Sequence, residues 1–216
     1  MIIVAFDIGI KNLAWAQVQY KKLSSSQSLL MTKNEKRILT TIPIQEKNMT
    51  IIDSGVQKDV MEYMNVLHFD VQDMSGHTMT HVYRKIHDYL RQQNKIWEKT
   101  DVVLIEQQMS ARHRCNIKAL KISQHIFAFF LLEHPSIRVI EYMAKYKTHY
   151  FGFYSPIKNE RKKWAVVKAT ELIGNDPVIS DLFSLYKKKD DISDCLLMTF
   201  VYFFSTIYLK WHKKNI

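Results

Sequence analysis

Short hydrophobic runs of strand length alternate along the chain with longer segments in which apolar residues recur at helical spacing. The β-branched run Ile2–Ile8 and the alternating segment 13–20 predict two strands, and residues 9–12 between them predict a hairpin turn. Further strands are predicted at 37–44, 101–106 and 138–142. The letters VVLI within 101–106 are apolar throughout, which is typical of a strand buried on both sides of a sheet.

Helices are predicted over about 80–94, 116–132 and 160–173, and a fourth begins near Asp190. In the first helix Val82, Ile86 and Leu90 share one face. Gly174 can end the third helix, because glycine readily adopts the backbone conformation that follows a helix.

We assign no definite element to residues 51–71. The apolar stretch 195–209 is too short to cross a bilayer, so we interpret it as part of a buried helix. The order of three strands, helix, strand, helix, strand and two helices predicts an α/β fold. No internal repeat or clear linker interrupts it, which predicts a single domain over residues 1–216.

Composition and charge narrow the class of protein. The chain has 216 residues, of which 47% are hydrophobic, enough to fill one large core. Thirty-one Lys and Arg against 21 Asp and Glu give a net charge of +10, which favours a polyanionic partner such as nucleic acid. The two cysteines are far apart, which suggests neither a disulfide framework nor a zinc site. With no secretory signal at the N-terminus, we expect an intracellular protein in a reducing compartment.

Acidic residues stand at the boundaries of hydrophobic segments. Asp7 ends the first strand just before Gly9, Glu106 ends the strand 101–106, and Asp191 and Asp194 open an apolar helix. A carboxylate at the edge of an apolar core is favoured when a cation or a substrate faces it. The pattern therefore indicates a metal site.

Each acid also has a purely structural interpretation. Asp7 can cap a turn through its side chain, and Glu106 can be a solvated residue at a strand end. Asp190 and Asp191 can be acids favoured by the helix macrodipole. Asp194 is harder to explain in this way, because it precedes a continuous apolar run.

Three sequence blocks carry a resemblance to a known family. FDIGIKNLAW at the start, IEQQ after the strand 101–106 and KKDDISDCLLM near the end resemble the RNase H-like Holliday-junction resolvases. Bacterial RuvC belongs to that family, and the poxvirus and fungal mitochondrial resolvases are more similar to this chain. The resemblance implies an RNase H-like mixed five-stranded sheet flanked by helices. The viral members fit the last block best, which favours a large DNA virus as the source.

The resemblance also implies a ligand set and a cofactor. Asp7, Glu106, Asp191 and Asp194 would be both catalytic and metal-ligating, and would hold two Mg²⁺ ions for which Mn²⁺ can substitute. Asp190 lies four residues before Asp194 and is geometrically as good as Asp191. The family pattern D-x-x-D favours Asp191.

A lysine near the metals is implied by the same resemblance. Lys163 at the start of the third helix is the first candidate, with Lys162, Lys145 and Lys147 as alternatives.

Basic residues occur in blocks that flank the acids in sequence, which predicts a DNA-binding surface. The blocks are Arg112, Arg114, Lys118 and Lys121; Lys158, Arg161, Lys162, Lys163 and Lys168; 187–189; and Lys210, Lys213 and Lys214. A group of aromatic residues either stacks on opened bases or packs in a core or a dimer contact. The group comprises Tyr146, Tyr150, Phe151, Phe153 and Tyr154.

The function that the resemblance implies is metal-dependent endonuclease activity on four-way and other branched DNA. A homodimer would nick two strands symmetrically, and in a virus it would resolve genome concatemers in the host cytoplasm or the virion. We expect no membrane and no nucleotide cofactor. Two alternatives stay open: an ATP-binding domain of the actin or sugar-kinase type, which also begins with a D-x-G turn, and a branched-DNA-binding module without catalysis.

Overall fold

The computed structural model of the protein describes residues 1–9, 11–21, 52–108, 116–174 and 176–210. Its strands are β1 (Ile2–Ile8), β2 (Asn12–Tyr20), β3 (Met64–Asp73), β4 (Val102–Glu106) and β5 (Arg138–Tyr142). They form one sheet in the order β3-β2-β1-β4-β5. β2 runs antiparallel to β1 and β3, whereas β1, β4 and β5 are parallel. The expected mixed five-stranded sheet flanked by helices is confirmed.

The helices cover both faces of this sheet. They are α1 (Ser54–Met61), α2 (Met79–Gln92), α3 (Asn94–Trp97), α4 (Ile117–Glu133), α5 (Tyr146–His149), α6 (Lys158–Ile173), α7 (Pro177–Leu185) and α8 (Lys189–Phe203). One core contains residues of α5, α6 and α8, and the core on the opposite face contains residues of α2, α3 and α4. Among the described residues, none of the helices has the length and apolar character needed to span a membrane.

Small side chains let α8 lie close to the centre of the sheet. Ala5 of β1 pairs with Ala16 of β2, and Ala14 is opposite Asp7. All three alanines are fully buried in the core that contains α8. On the opposite face β1 contributes Phe6, which packs against Trp97. Because successive side chains of β1 point to opposite faces of the sheet, this one strand contributes residues to both cores.

The turn between β1 and β2 depends on glycine. The Gly9 amide donates a hydrogen bond of 2.9 Å to the Asn12 carbonyl oxygen. A Cβ atom at position 9 would lie 2.7 Å from that oxygen, closer than real Cβ contacts. The predicted hairpin is thus confirmed for its described residues, and it fixes the strand end that carries Asp7.

The main difference from the expected element order concerns the third strand. The structure forms it as β3, Met64–Asp73, in a segment to which the sequence analysis assigned no element. The predicted strand 37–44 lies outside the described residues. Helix α7 was also not predicted, whereas α2, α4, α6 and α8 confirm the four predicted helices. The single-domain organisation stays a prediction.

Candidate active site

Two of the predicted acids lie at the C-terminal ends of neighbouring parallel strands. Phe6 of β1 pairs with Ile105 of β4, and the next residue on each strand is Asp7 or Glu106. Parallel strands end at the same edge of a sheet, so the two carboxyl groups lie side by side and share a hydrogen bond.

Helix α8 brings a third acid to this edge. It packs across β1 and β2, and its residues from Cys195 to Phe203 are all buried. Asp194 lies immediately before that buried run, and its side chain is 30% exposed. It therefore stands where the buried part of the helix meets the open edge of the sheet, within electrostatic reach of Asp7 and Glu106.

A buried lysine joins two of these acids. Lys147 belongs to the short helix α5, which follows β5 next to β4. Its Nζ atom lies 2.7 Å from Asp194 Oδ2 and 3.1 Å from Glu106 Oε1. The Lys147 side chain is only 9% exposed, so this contact is shielded from water. The cluster of Asp7, Glu106, Asp194 and Lys147 is hereafter called the acid–lysine cluster.

The acids of this cluster have perturbed pKa values. Burial raises the pKa of Asp7 well above its ordinary value, and the neighbouring Glu106 raises it further. Burial also raises the pKa of Asp194, against the opposing effect of the Lys147 ammonium. These shifts follow from placing like charges together away from water. The site thus favours a cation beside the carboxylates.

Glu106 and Lys147 stabilise each other in their charged forms. Burial acts to raise the pKa of Glu106, but the Lys147 ammonium and hydrogen bonds to the carboxylate outweigh it and lower the pKa. Burial likewise acts to lower the pKa of Lys147, but the charges of Asp194, Glu106 and Asp7 raise it instead. Lys147 is therefore a protonated cation in this site.

The two acids of the first turn of α8 face different partners. Asp190 forms an ion pair with Lys162 of α6. Asn12, at the start of β2, donates a hydrogen bond of 3.5 Å from its side-chain amide to Asp191 Oδ2. Asp190 is thus already neutralised by a lysine, whereas Asp191 lies beside the hairpin that carries Asp7. Asp191 as a metal ligand stays a prediction.

The donor chemistry suits a hard divalent cation, although the ligands are not yet arranged around one. Within the described ranges, no three His, Cys, Asp or Glu side chains are already placed so as to hold a metal ion. The acid–lysine cluster nevertheless contains three carboxylates, which are the oxygen ligands that Mg²⁺ prefers. The Lys147 ammonium holds two of them.

Comparisons with known proteins bear on this arrangement. No protein-family model matches the chain. It is 27% identical over 208 residues to uncharacterized protein 97L of Invertebrate iridescent virus 3, which covers 93% of this chain and 98% of that protein.

Solved structures resemble the chain over nearly its whole length. The fowlpox virus resolvase, in complex with Holliday junction DNA, matches with a TM-score of 0.54 and 19% identity over 93% of this chain and 97% of the other. Thermus thermophilus RuvC matches with a TM-score of 0.57 and 13% identity over 98% of this chain and 97% of the other. The chain has a RuvC-like resolvase fold. The resemblance stated from the sequence blocks is confirmed at that level.

Within this RuvC-like fold, the lysine beside the acids differs from the first candidate. Lys163 is exposed on α6, while Lys147 contacts Glu106 and Asp194 directly. Lys147, which was one of the alternatives, is thus the lysine that the structure places in contact with Glu106 and Asp194. A catalytic role for Lys163 stays a prediction.

The aromatic group is divided by the RuvC-like fold. Tyr146 and Tyr150 are buried in the core that contains α8, and Phe151 packs against Phe200. Phe153 stacks on Trp164 with a centroid distance of 4.6 Å. Tyr154 is 86% exposed. Core packing therefore explains Tyr146, Tyr150 and Phe151, and stacking on a base stays a prediction for the exposed Tyr154.

Several of the described basic residues are exposed in the first turns of helices or just before them. Lys158 and Arg161 are exposed in the first turn of α6, and residues 187–189 lead into the acidic first turn of α8. Lys118 is exposed in the first turn of α4. Arg112, Arg114, Lys213 and Lys214 lie outside the described residues.

Proposed function

We propose that the protein is a metal-dependent endonuclease that cuts four-way and other branched DNA. The observation that carries the proposal is the convergence of Asp7, Glu106 and Asp194, from three separate elements, at one edge of a RuvC-like sheet. The pKa values of Asp7 and Asp194 are raised by burial and by the charge of Glu106. A divalent cation at this edge would relieve that repulsion.

The metal would be held by Asp7, Glu106 and Asp194, with Asp191 as a fourth carboxylate. We propose two Mg²⁺ ions, for which Mn²⁺ can substitute because it accepts the same oxygen ligands. When bound, such ions supply the charge that activates water and neutralises the leaving oxyanion of a phosphodiester. The protein contributes the fixed positions of the carboxylates, which stand on two strand ends and a buried helix.

The exposed basic residues would bind the DNA backbone. Lys187 and Lys188 immediately precede α8 and its acidic first turn. Lys158 and Arg161 are exposed in the first turn of α6, the helix whose Lys162 pairs with Asp190. Arg161 is oriented by a 2.7 Å hydrogen bond from Nη1 to the Ser155 carbonyl oxygen. Phosphate contacts of this kind release counterions, so junction binding should weaken as salt is added.

We also propose that the protein acts as a homodimer that nicks two strands symmetrically. A four-way junction offers two equivalent scissile bonds, and a two-fold dimer brings one site to each. Fowlpox virus and an iridescent virus supply two of the similar proteins. The proposed task is therefore the resolution of concatemeric or recombined viral genomes.

Cleavage of a labelled junction tests this function. The purified protein is incubated with a four-way junction and with a linear duplex of the same sequence, each with Mg²⁺ or with EDTA. We expect paired nicks in the junction with Mg²⁺ and an intact duplex. Junction binding without any product in Mg²⁺ or Mn²⁺ would instead support the non-catalytic binding module. ATP hydrolysis without junction cleavage would support the ATP-binding alternative.

The two lysine candidates can be compared in the same assay. At saturating Mg²⁺, Lys147→Met should slow cleavage by about 100-fold, because the site loses a buried positive charge that can act on the reacting phosphate. Lys163→Met removes the same charge from an exposed position and should have a much smaller effect. The reverse order of the two variants would contradict the assignment of Lys147 to the site.

A further inference from the structure

The position of Lys147 raises the question of how it coexists with a metal. Its ammonium lies between Glu106 and Asp194, 3.1 Å and 2.7 Å from their nearest oxygens. The side chains of Lys147 and Glu106 are 9% and 16% exposed. The ammonium therefore occupies the space between two of the proposed metal ligands, with little room for water.

The distances distinguish an ammonium site from a magnesium site. Mg²⁺ holds its oxygen ligands at about 2.0–2.1 Å, whereas the Lys147 nitrogen stands farther from both carboxylates. To hold one Mg²⁺ between them, the two carboxylates must each approach the ion more closely than they approach the Lys147 nitrogen. This agrees with the finding that, in the part of the chain that the structure describes, no three potential ligands are ready to hold a metal.

We propose that Lys147 is a displaceable cation, whose ammonium must leave Glu106 and Asp194 before these carboxylates can close on a divalent ion. The inference rests on the proposed function and concerns the same site. In its present position the ammonium holds α5, β4 and α8 together. The acids are thereby kept assembled, and metal affinity is lowered by competition.

A matched pair of variants separates competition from simple removal of charge. Lys162 also lies near the acids, but its ammonium pairs with Asp190 and not with Glu106 or Asp194 in the contacts described. Lys147→Met and Lys162→Met remove the same charge from the same neighbourhood. Lys147→Arg keeps the charge and offers a guanidinium that can hold carboxylates through several donors.

The test is calorimetric titration of Mn²⁺ into the wild-type protein and the three variants. Lys147→Met should bind Mn²⁺ about 10-fold more tightly than wild type, and Lys162→Met should bind it no more than about 3-fold more tightly. Lys147→Arg should bind about 3-fold or more weakly. Thermal melting with and without Mn²⁺ should give the largest metal-induced rise in Tm for Lys147→Met.

Several results would overturn the inference. An equal gain in Mn²⁺ affinity in Lys147→Met and Lys162→Met would mean that only the net charge of the site affects metal binding. Unchanged or weaker binding by a folded Lys147→Met variant would mean that the ammonium does not compete. If Lys147→Met does not fold, unchanged or tighter binding by Lys147→Arg is the overturning result.

Failure of the proposed function gives a different result. A wild-type protein that binds Mn²⁺ with these affinity differences but cuts no junction would leave the competition intact and remove the nuclease. If wild type cuts the junction and Lys147→Met binds Mn²⁺ no more tightly than wild type, the nuclease function stands and the competition by Lys147 is ruled out. Absence of Mn²⁺ binding in every form would remove both.

Discussion

Replacing Asp7 by asparagine should separate the activity of the site from the stability of the fold. Asp7 shares a hydrogen bond with Glu106 and lies within reach of the charge of Asp194. Asparagine has nearly the same shape and can still donate to Glu106, but it cannot carry the negative charge. In metal-free buffer the change therefore keeps a hydrogen bond to Glu106 and opens no cavity.

The loss of activity can be estimated from the charge alone. Two unit charges about 4 Å apart interact by about 4 kcal/mol at an effective dielectric constant of about 20. Losing one carboxylate charge next to a bound cation should then slow cleavage by about 1,000-fold, since each 1.36 kcal/mol corresponds to about tenfold in rate. The same substitution should leave Tm within about 4 °C of wild type or raise it, because about 1 kcal/mol shifts Tm by roughly 2–4 °C at this chain length.

Three measurements on the same preparation decide the outcome. Single-turnover cleavage of a four-way junction gives the rate, fluorescence anisotropy gives the junction affinity, and differential scanning fluorimetry gives Tm. A rate for Asp7→Asn within about tenfold of wild type would mean that the Asp7 charge is not needed for cleavage. A fall in Tm of more than about 10 °C would instead identify Asp7 as a structural residue.

Other predictions concern the fold that supports the site. Trp97 is fully buried and donates a 2.7 Å hydrogen bond to the Leu90 carbonyl oxygen. Trp97→Ala should therefore lower the free energy of unfolding in urea by about 3–5 kcal/mol, and a decrease below about 1 kcal/mol would contradict this expectation. Gly9→Ala forces a close contact with the Asn12 carbonyl oxygen. It should lower the free energy of unfolding by about 1–3 kcal/mol, and unchanged stability would contradict this expectation. Burial lowers the pKa of His134, so its contribution to stability is present at neutral pH and lost as the pH falls below the unfolded value of about 6.5. The loss of stability between about pH 7.5 and 5.5 should therefore be smaller in His134→Gln, and an equal loss in both proteins would contradict the assignment.

The strand ends that carry the site were predictable because local patterns mark them. β1 and β4 are central strands whose apolar runs stop abruptly at Asp7 and Glu106. A charge directly after such a run is visible in the sequence, and so is the acidic first turn of α8. The convergence of Asp7 and Glu106 follows from the parallel pairing of β1 with β4, which no local pattern specifies.

β3 was missed because an edge strand has weak local signals. It pairs with β2 on one side, and much of its surface is polar, as Asn65, Asp70 and Gln72 illustrate. A register irregularity opposite Gln17 and Val18 also shifts the alternation part-way along the strand. A two-residue period therefore does not persist long enough to predict the element.

The choice of lysine depended on tertiary structure. Lys147 is flanked by Tyr146 and followed at Tyr150 by another buried ring, so its helix has a buried side. The aromatic residues Tyr146 and Tyr150 on either side of Lys147 are the sequence signal that could have favoured it over Lys163. The contact itself depends on how α5 and α8 meet, and no local pattern specifies that geometry.

Acids from β1, β4 and α8 should form one divalent-metal site, and anomalous diffraction from crystals soaked in Mn²⁺ would locate that metal. We expect an anomalous peak bounded by Asp7, Glu106 and Asp194, with the Lys147 ammonium moved away from its present contacts. Strong Mn²⁺ peaks elsewhere, with none among these three carboxylates, would mean that the acids do not form a metal site.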